Sequence, residues 1–165
     1  MSEFAFTIGI LTLSDKGARG EREDLSGQVI REMIAPIGKV THYKVVPDDL
    51  DTIVETLVEW VDRDEVDLIL TTGGTGLSPR DVTPEATARI LDWEIPGMAE
   101  AMRVASMQKT PHAMLSRAKV GVRRRSMVIN LPGSPKGVRE NLEVVMPALG
   151  HGLSKLKGDP SDCAQ

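Results

Sequence analysis

Val66-Asp-Leu-Ile-Leu-Thr-Thr72 runs straight into Gly73-Gly-Thr-Gly76, and a helix start follows at Thr83-Pro84. A short apolar run that ends in glycines and restarts as a helix is the strand–loop–helix unit of α/β folds. Threonine placed to cap and proline at the first helical position mark the restart. The rest of the chain repeats this alternation. Phe6–Leu13 is a β-rich run ended by the loop signal Ser14-Asp15-Lys16-Gly17, and Leu25, Val29, Ile30, Met33 and Ile34 follow helical spacing until Pro36 and Gly38. Tyr43–Val46 reads as a second strand with Pro47-Asp48-Asp49 as its turn, and Leu50, Ile53, Val54, Leu57, Val58 and Val61 make an apolar helical stripe. Pro96-Gly97 opens a helix towards Lys109, Ala118–Arg123 and Ser126–Leu131 read as a hairpin, and Pro132–Pro135 leads into a last helix up to about Gly152. The pattern predicts a three-layer α/β sandwich, with a mostly parallel central sheet and helices on both faces.

At 165 residues, 41% of them apolar, the chain suits one domain with a real core. Residues 1–158 are expected to form it, with 159–165 a flexible polar tail. A net charge of −4, with only Phe4, Phe6, Tyr43, Trp60 and Trp93 as aromatics, argues against a general nucleic-acid binder. The single Cys163 excludes a disulfide framework and a Cys-rich zinc site, and His42, His112 and His151 have no metal-ligand spacing. No basic n-region precedes the interrupted apolar run Phe6–Leu13, so neither a signal peptide nor a membrane span is expected, and a cytoplasmic protein is.

In open α/β sheets ligands bind beyond the carboxyl ends of the strands. Four segments leave strands at that edge: Ser14–Asp24, Pro47–Asp49, Gly73–Asp81 and Asn130–Pro135. The run Thr71-Thr-Gly-Gly-Thr-Gly76 can cradle an anion with backbone N–H groups, or can be a plain β-to-α turn that needs positive φ. It is neither a P-loop nor a dinucleotide fingerprint. If Thr83 caps its helix, Asp81 is free to hold Mg²⁺; the alternatives are a local Asx-type turn or an ion pair with Arg80. One of Asp48 and Asp49 is needed to cap the helix from Leu50, which leaves one spare carboxylate. Two carboxylates facing a glycine loop would suit a hard cation. Arg103, Arg117, Arg123, Arg124, Arg125 and Lys136 form a local basic set, in which Arg123–Arg125 reads as a solvated hairpin tip. Ser116 beside Arg117 suits a phosphate or a carboxylate. No Gly-x-Ser-x-Gly elbow supports a serine nucleophile, and Met98, Met102 and Met107 read as core.

Five motifs stand in one order: Gly73-Gly-Thr-Gly76, Arg80-Asp-Val-Thr-Pro-Glu-Ala86, Pro96-Gly-Met-Ala-Glu100 with Met102-Arg103, Leu115-Ser-Arg117, and Asn130-Leu-Pro-Gly-Ser-Pro135. This order resembles the molybdopterin adenylyltransferases of the MogA/MoaB type and the related G domain of gephyrin, from Ile8 to about Gly158. The resemblance implies a homotrimer that adenylylates the terminal phosphate of molybdopterin with ATP and Mg²⁺, releasing pyrophosphate, in molybdenum cofactor biosynthesis. It puts Asp48 and Asp81 on the acidic catalytic and Mg²⁺ positions. Ser116, with Arg117 beside it, falls at the molybdopterin. Ser14, Asp15, Thr72, Gly73, Gly74, Thr75, Gly76, Glu100, Asn130, Pro132, Gly133 and Ser134 fall in the substrate surroundings. Lys16 stands where arginine is common in the family. The molybdenum-insertion protein is an implied partner. The same fold could instead bind molybdopterin without catalysis, or serve as an interaction protein.

Overall fold

The computed structural model describes residues 6–163; Phe4 and the last two residues of the expected tail lie outside that range. Strand β1 (Phe6–Leu13) leads through a short helical turn, α1 (Asp15–Ala18), to helix α2 (Leu25–Ile34) and strand β2 (Gly38–Val46). Helix α3 (Leu50–Val58) continues as a π-turn over Glu59–Arg63 before β3 (Leu68–Thr72). Then come α4 (Thr83–Ile90), β4 (Trp93–Glu94), α5 (Pro96–Met107), a 3₁₀ turn (Pro111–Leu115), β5 (Val120–Arg123), β6 (Ser126–Leu131) and α6 (Pro135–Leu156). The six strands lie in the order β2-β1-β3-β6-β5-β4. The first four are parallel, and β5 and β4 add antiparallel. The predicted mostly parallel sheet, flanked by helices, is what forms.

Parallel strands buried on both faces read as near-continuous apolar runs, and β3 and β6 are buried along their whole lengths, with Thr71, Thr72, Ser126 and Asn130 as their buried polar positions. On one face Ile8, Ile10, Leu70 and Ile129 pack under Ile30 and Ile34 of α2, Met102 of α5, and Leu142 and Leu149 of α6. On the other, Leu11, Leu13, Ile69 and Val128 meet Ile53 and Leu57 of α3, Trp60, and Ile90 of α4. Each such side chain contributes about 1.5–3 kcal/mol by leaving water. Gly9 makes one of these fits possible, because a Cβ there would lie 2.7 Å from the Trp60 ring.

Several local expectations are corrected. Thr83 does not cap α4: the helix starts at Thr83 after Val82, and the buried Thr83 hydroxyl donates instead to Gly73 O at 2.9 Å. Ser14 begins a helical turn rather than a loop, its Oγ accepting from Gly17 N at 3.0 Å. Arg123 is no solvated tip. It forks onto Asp62 at 2.9 and 2.7 Å and donates to Ile90 O at 3.0 Å, tying the hairpin to the π-turn and to α4. Met102 is core, whereas Met107 is 37% exposed. Apart from these corrections, Lys155 near the end of α6 donates to Asp159 O at 3.2 Å.

Candidate active site

The carboxyl edge of the parallel strands carries two adjoining hollows. The first, about 620 Å³, is lined by Ser14, Asp48, Thr72, Gly73, Gly74, Asp81, Gly133 and Ser134, together with Arg22 and Asp24. The second, about 380 Å³, lies towards α5 and α6 and is lined by Thr75, Gly76, Arg103, Lys109, His112, Ser116, Asn130, Pro132 and Lys136 among others. Ser134 belongs to both. The wall between them is therefore built from the Gly73–Gly76 loop and the Pro132–Ser134 turn. Buried Thr72 joins these two loops, its hydroxyl donating to Pro132 O at 2.6 Å.

The glycine loop is a turn that requires positive φ, as one of its two readings has it. Gly73 and Gly74 have φ of 101° and 69°, so the turn does need glycine. A Cβ on Gly73 would sit 2.5 Å from Leu13 O, and one on Gly74 2.3 Å from Thr83 Oγ1. The same backbone lines the first hollow, where the N-termini of α2 and α6 also converge through Asp24–Ser26 and Ser134–Pro135. Helix N-termini and glycine amides favour an anion there.

Asp48 and Asp49 separate cleanly. Asp49 caps α3, accepting from Thr52 N at 2.9 Å and from Thr52 Oγ1 at 2.7 Å. Asp48 is left facing the hollow and is locked to Asp15 reciprocally. Asp15 N donates to Asp48 Oδ2 at 3.1 Å, and Asp48 N donates to Asp15 Oδ1 at 3.0 Å. Burial pushes the Asp48 carboxyl above the ordinary range, and the charges of Asp15 and Asp81 push it further. Asp15 goes the other way, held low by its hydrogen bonds to Arg80 at 3.0 and 2.8 Å. Arg80 thus pairs with Asp15 and not with Asp81. Asp81 takes the turn alternative, its Oδ2 accepting from Ser78 N at 3.0 Å.

Arg117 is committed within the protein. Its guanidinium donates to Gly76 O and to Asp81 O, both at 2.9 Å, and pairs with Glu85, while its N–H donates to Thr75 O at 3.0 Å. It splints the glycine loop to the segment that carries Asp81. Asn130 is committed too: fully buried, it donates to Thr71 Oγ1 and Thr87 Oγ1 at 3.0 Å each and accepts from Lys119 N at 3.1 Å. Glu100 is exposed on α5 and lines neither hollow.

Asp24 was not singled out from the sequence. It caps α2 by accepting from Gly27 N at 2.9 Å, and it accepts from Thr12 Oγ1 at 2.7 Å and from Tyr43 OH at 2.5 Å. Burial, then the hydrogen bond to Asp24, pushes the Tyr43 hydroxyl up to about 12. The signal available was a carboxylate two residues before Ser26-Gly27 at the start of a helical stripe. Lys109 and His112 were also missed, because they meet the wall of the second hollow only through the fold of α5 and the 3₁₀ turn.

Such an architecture, with an acidic chamber and a basic chamber sharing a glycine wall at the carboxyl edge of a parallel sheet, is that of an α/β protein with its candidate ligand site at the strand ends. The family follows from comparison: residues 9–151 match the model described as a probable molybdopterin binding domain, and the chain belongs to that family. It is 42% identical to a molybdopterin adenylyltransferase of Helicobacter pylori, over 92% of this chain and 88% of the other. With the Escherichia coli K12 molybdopterin adenylyltransferase it shares 39% identity, over 87% and 75% of the two chains. Among solved structures, the molybdopterin biosynthesis enzyme MoaB from Thermus thermophilus superposes with a TM-score of 0.88 at 55% identity, covering 95% of this chain and 99% of that one. The family resemblance carried by the five ordered motifs is borne out.

Proposed function

We propose that this protein is a molybdopterin adenylyltransferase that acts in molybdenum cofactor biosynthesis. A terminal phosphate oxygen of molybdopterin attacks the α-phosphorus of ATP. The bond from that phosphorus to the bridging oxygen breaks, pyrophosphate leaves with the electron pair, and the adenylylated pterin remains. The observation that carries the reading is the pair of hollows on one glycine wall, since adenylyl transfer needs two phosphate-bearing substrates held side by side. The names of the relatives agree with it.

The ATP phosphates suit the first hollow, with its glycine amides and two helix N-termini, and the pterin phosphate end suits the Ser116 hydroxyl, Lys109 and Lys136 in the second. Bringing two phosphates together costs about 4 kcal/mol per pair of unit charges at 4 Å and an effective dielectric near 20. Mg²⁺, when bound, would neutralise part of that charge. The donor set fits it: Asp48 and Asp81 line one hollow and each uses only one carboxylate oxygen in protein hydrogen bonds. Mg²⁺ characteristically takes one or two carboxylates plus substrate phosphates. No group of three or more His, Cys, Asp or Glu is arranged to hold a metal among the described residues. Arg117 then works as a splint, fixing Gly76 and Asp81 relative to each other.

We assign the activity to one domain over residues 1–158, active as a cytoplasmic homotrimer that hands its product to the molybdenum-insertion protein. Among the described residues no helix is long and apolar enough to cross a membrane. The test combines purified protein, molybdopterin, ATP and Mg²⁺ and follows pyrophosphate together with adenylylated pterin. Pterin-dependent pyrophosphate is expected, falling about 10²–10³-fold in Asp81→Asn with pterin affinity largely kept. Tight pterin binding without pyrophosphate would make the chain a carrier instead.

A further inference from the structure

In-line phosphoryl chemistry sends the leaving group away from the nucleophile. With the pterin phosphate in the second hollow, on the β6 side of the glycine wall, pyrophosphate would leave towards the opposite rim, over β1 and β2. That rim is built by the loop after β1, with Ser14, Gly17 and Arg22 lining the hollow, and by Asp48 after β2. Its carboxylates are in excess: Asp15, Asp48 and Asp81 stand near one another, with Arg80 the guanidinium that answers them. A polyphosphate tail needs further cations at that rim.

One arginine lines that rim, and a second stands beside it, next to Asp81 and paired with Asp15. Arg22 lines the hollow, is exposed, and has no ion-pair partner among the described residues. Most arginines around the site are otherwise engaged: Arg19 with Glu21, Arg117 with Glu85, Gly76 and Asp81, and Arg103 with Ser116 and Ala118. Arg80 sits one residue before Asp81, with a side chain 63% exposed, and it crosses from the loop after β3 to Asp15 on the loop after β1. The pair is bidentate but open to solvent on the arginine side, where salt screens it and a more highly charged polyphosphate competes for the same fork. Arginine also presents its donors as a planar fork that matches two phosphate oxygens.

We propose that Arg22 and Arg80 form a two-armed clamp for the β- and γ-phosphates of the nucleotide, with Arg80 leaving Asp15 to engage them. The clamp makes the first hollow selective for a nucleoside triphosphate over a monophosphate and steadies pyrophosphate as it departs. It rests on the adenylyl-transfer reading for the direction of the leaving group.

The test is calorimetric titration of the intact protein with ATP, AMP and inorganic tripolyphosphate, for the wild type and for Arg22→Ala, Arg80→Ala and Arg80→Lys. The expected result is wild-type preference for ATP over AMP, with ATP and tripolyphosphate each weakened about 10–100-fold in the alanine variants and AMP little changed. Arg80→Lys should recover part of the loss, since it keeps the charge and loses the fork. Equal weakening of ATP and AMP would mean that the arginines only hold the loops, and unchanged ATP affinity would mean that they do not touch the tail; either result overturns the clamp. Arginine-dependent tripolyphosphate binding with no ATP binding would overturn the nucleotide clamp and the adenylyl-transfer reading together, leaving a site for a free polyphosphate. A wild type that binds neither would overturn both.

Discussion

Asp48 is where stability and the proposed chemistry pull against each other. Its carboxyl is pushed up by burial first and by the charges of Asp15 and Asp81 next. A carboxyl raised on folding favours the folded state only below its unfolded pKa, and that benefit is lost as pH rises through the folded value. At neutral pH the ionised Asp48 is therefore a cost. Asp48→Asn should melt above the wild type at pH 7 in a ligand-free thermal scan, by a few degrees. The gain should shrink as pH is lowered through the raised pKa and vanish below the ordinary aspartate range, where wild-type Asp48 is protonated too. Pyrophosphate release should fall in the same variant by about 10²–10³-fold. A variant that loses both stability and turnover would make Asp48 a structural residue. The sequence narrowed this role to two neighbours, and only the cap that Asp49 makes on Thr52 decides between them.

At the scale of elements, buried polar contacts decide which parts of the carboxyl edge hold still. Asn130 joins β6 to β3 through Thr71, to α4 through Thr87, and to Lys119 just before β5. Asn130→Ala would leave those groups unpaired in the core and should cost about 2–4 kcal/mol in urea unfolding. A loss under about 1 kcal/mol would show that water replaces the amide. The elements themselves were largely legible: β1, α2 and the hairpin follow from period and punctuation. What was not legible lacks a local signal. Strand β2 begins at Gly38, five residues before the apolar run, because pairing with β1 recruits polar residues. Strand β4 is two exposed residues that exist only against β5. The Thr83 cap failed because its hydroxyl found Gly73 O, a tertiary partner that outweighs the local rule. The site's segments were readable as glycine- and aspartate-rich loops, while the division into two hollows depends on how the Gly73–Gly76 and Pro132–Ser134 turns pack.

The whole molecule leaves apolar surface uncovered near the second hollow. Leu77, Val104, Met114 and Leu115 are each more than half exposed. Single exposed apolar residues are ordinary, but this many beside a wall of the site suit contact with further copies of the chain. Sedimentation at micromolar concentration should give three times the 17.9 kDa chain mass, and the melting temperature should rise with protein concentration. A concentration-independent monomer would remove the trimer. Within each chain, synthesis itself imposes a delay. Strand β3, apolar over Leu68–Leu70 and buried throughout, pairs on one side with β1 and on the other with β6, which begins only at Ser126. While residues 73–125 are being synthesised, at about 5–20 residues per second, the edge of β3 has no strand to accept it for roughly 3–10 s. A nascent chain of this topology presents a sticky, half-made sheet at the ribosome for seconds, and early termination anywhere in that stretch releases a fragment bound for chaperone or protease.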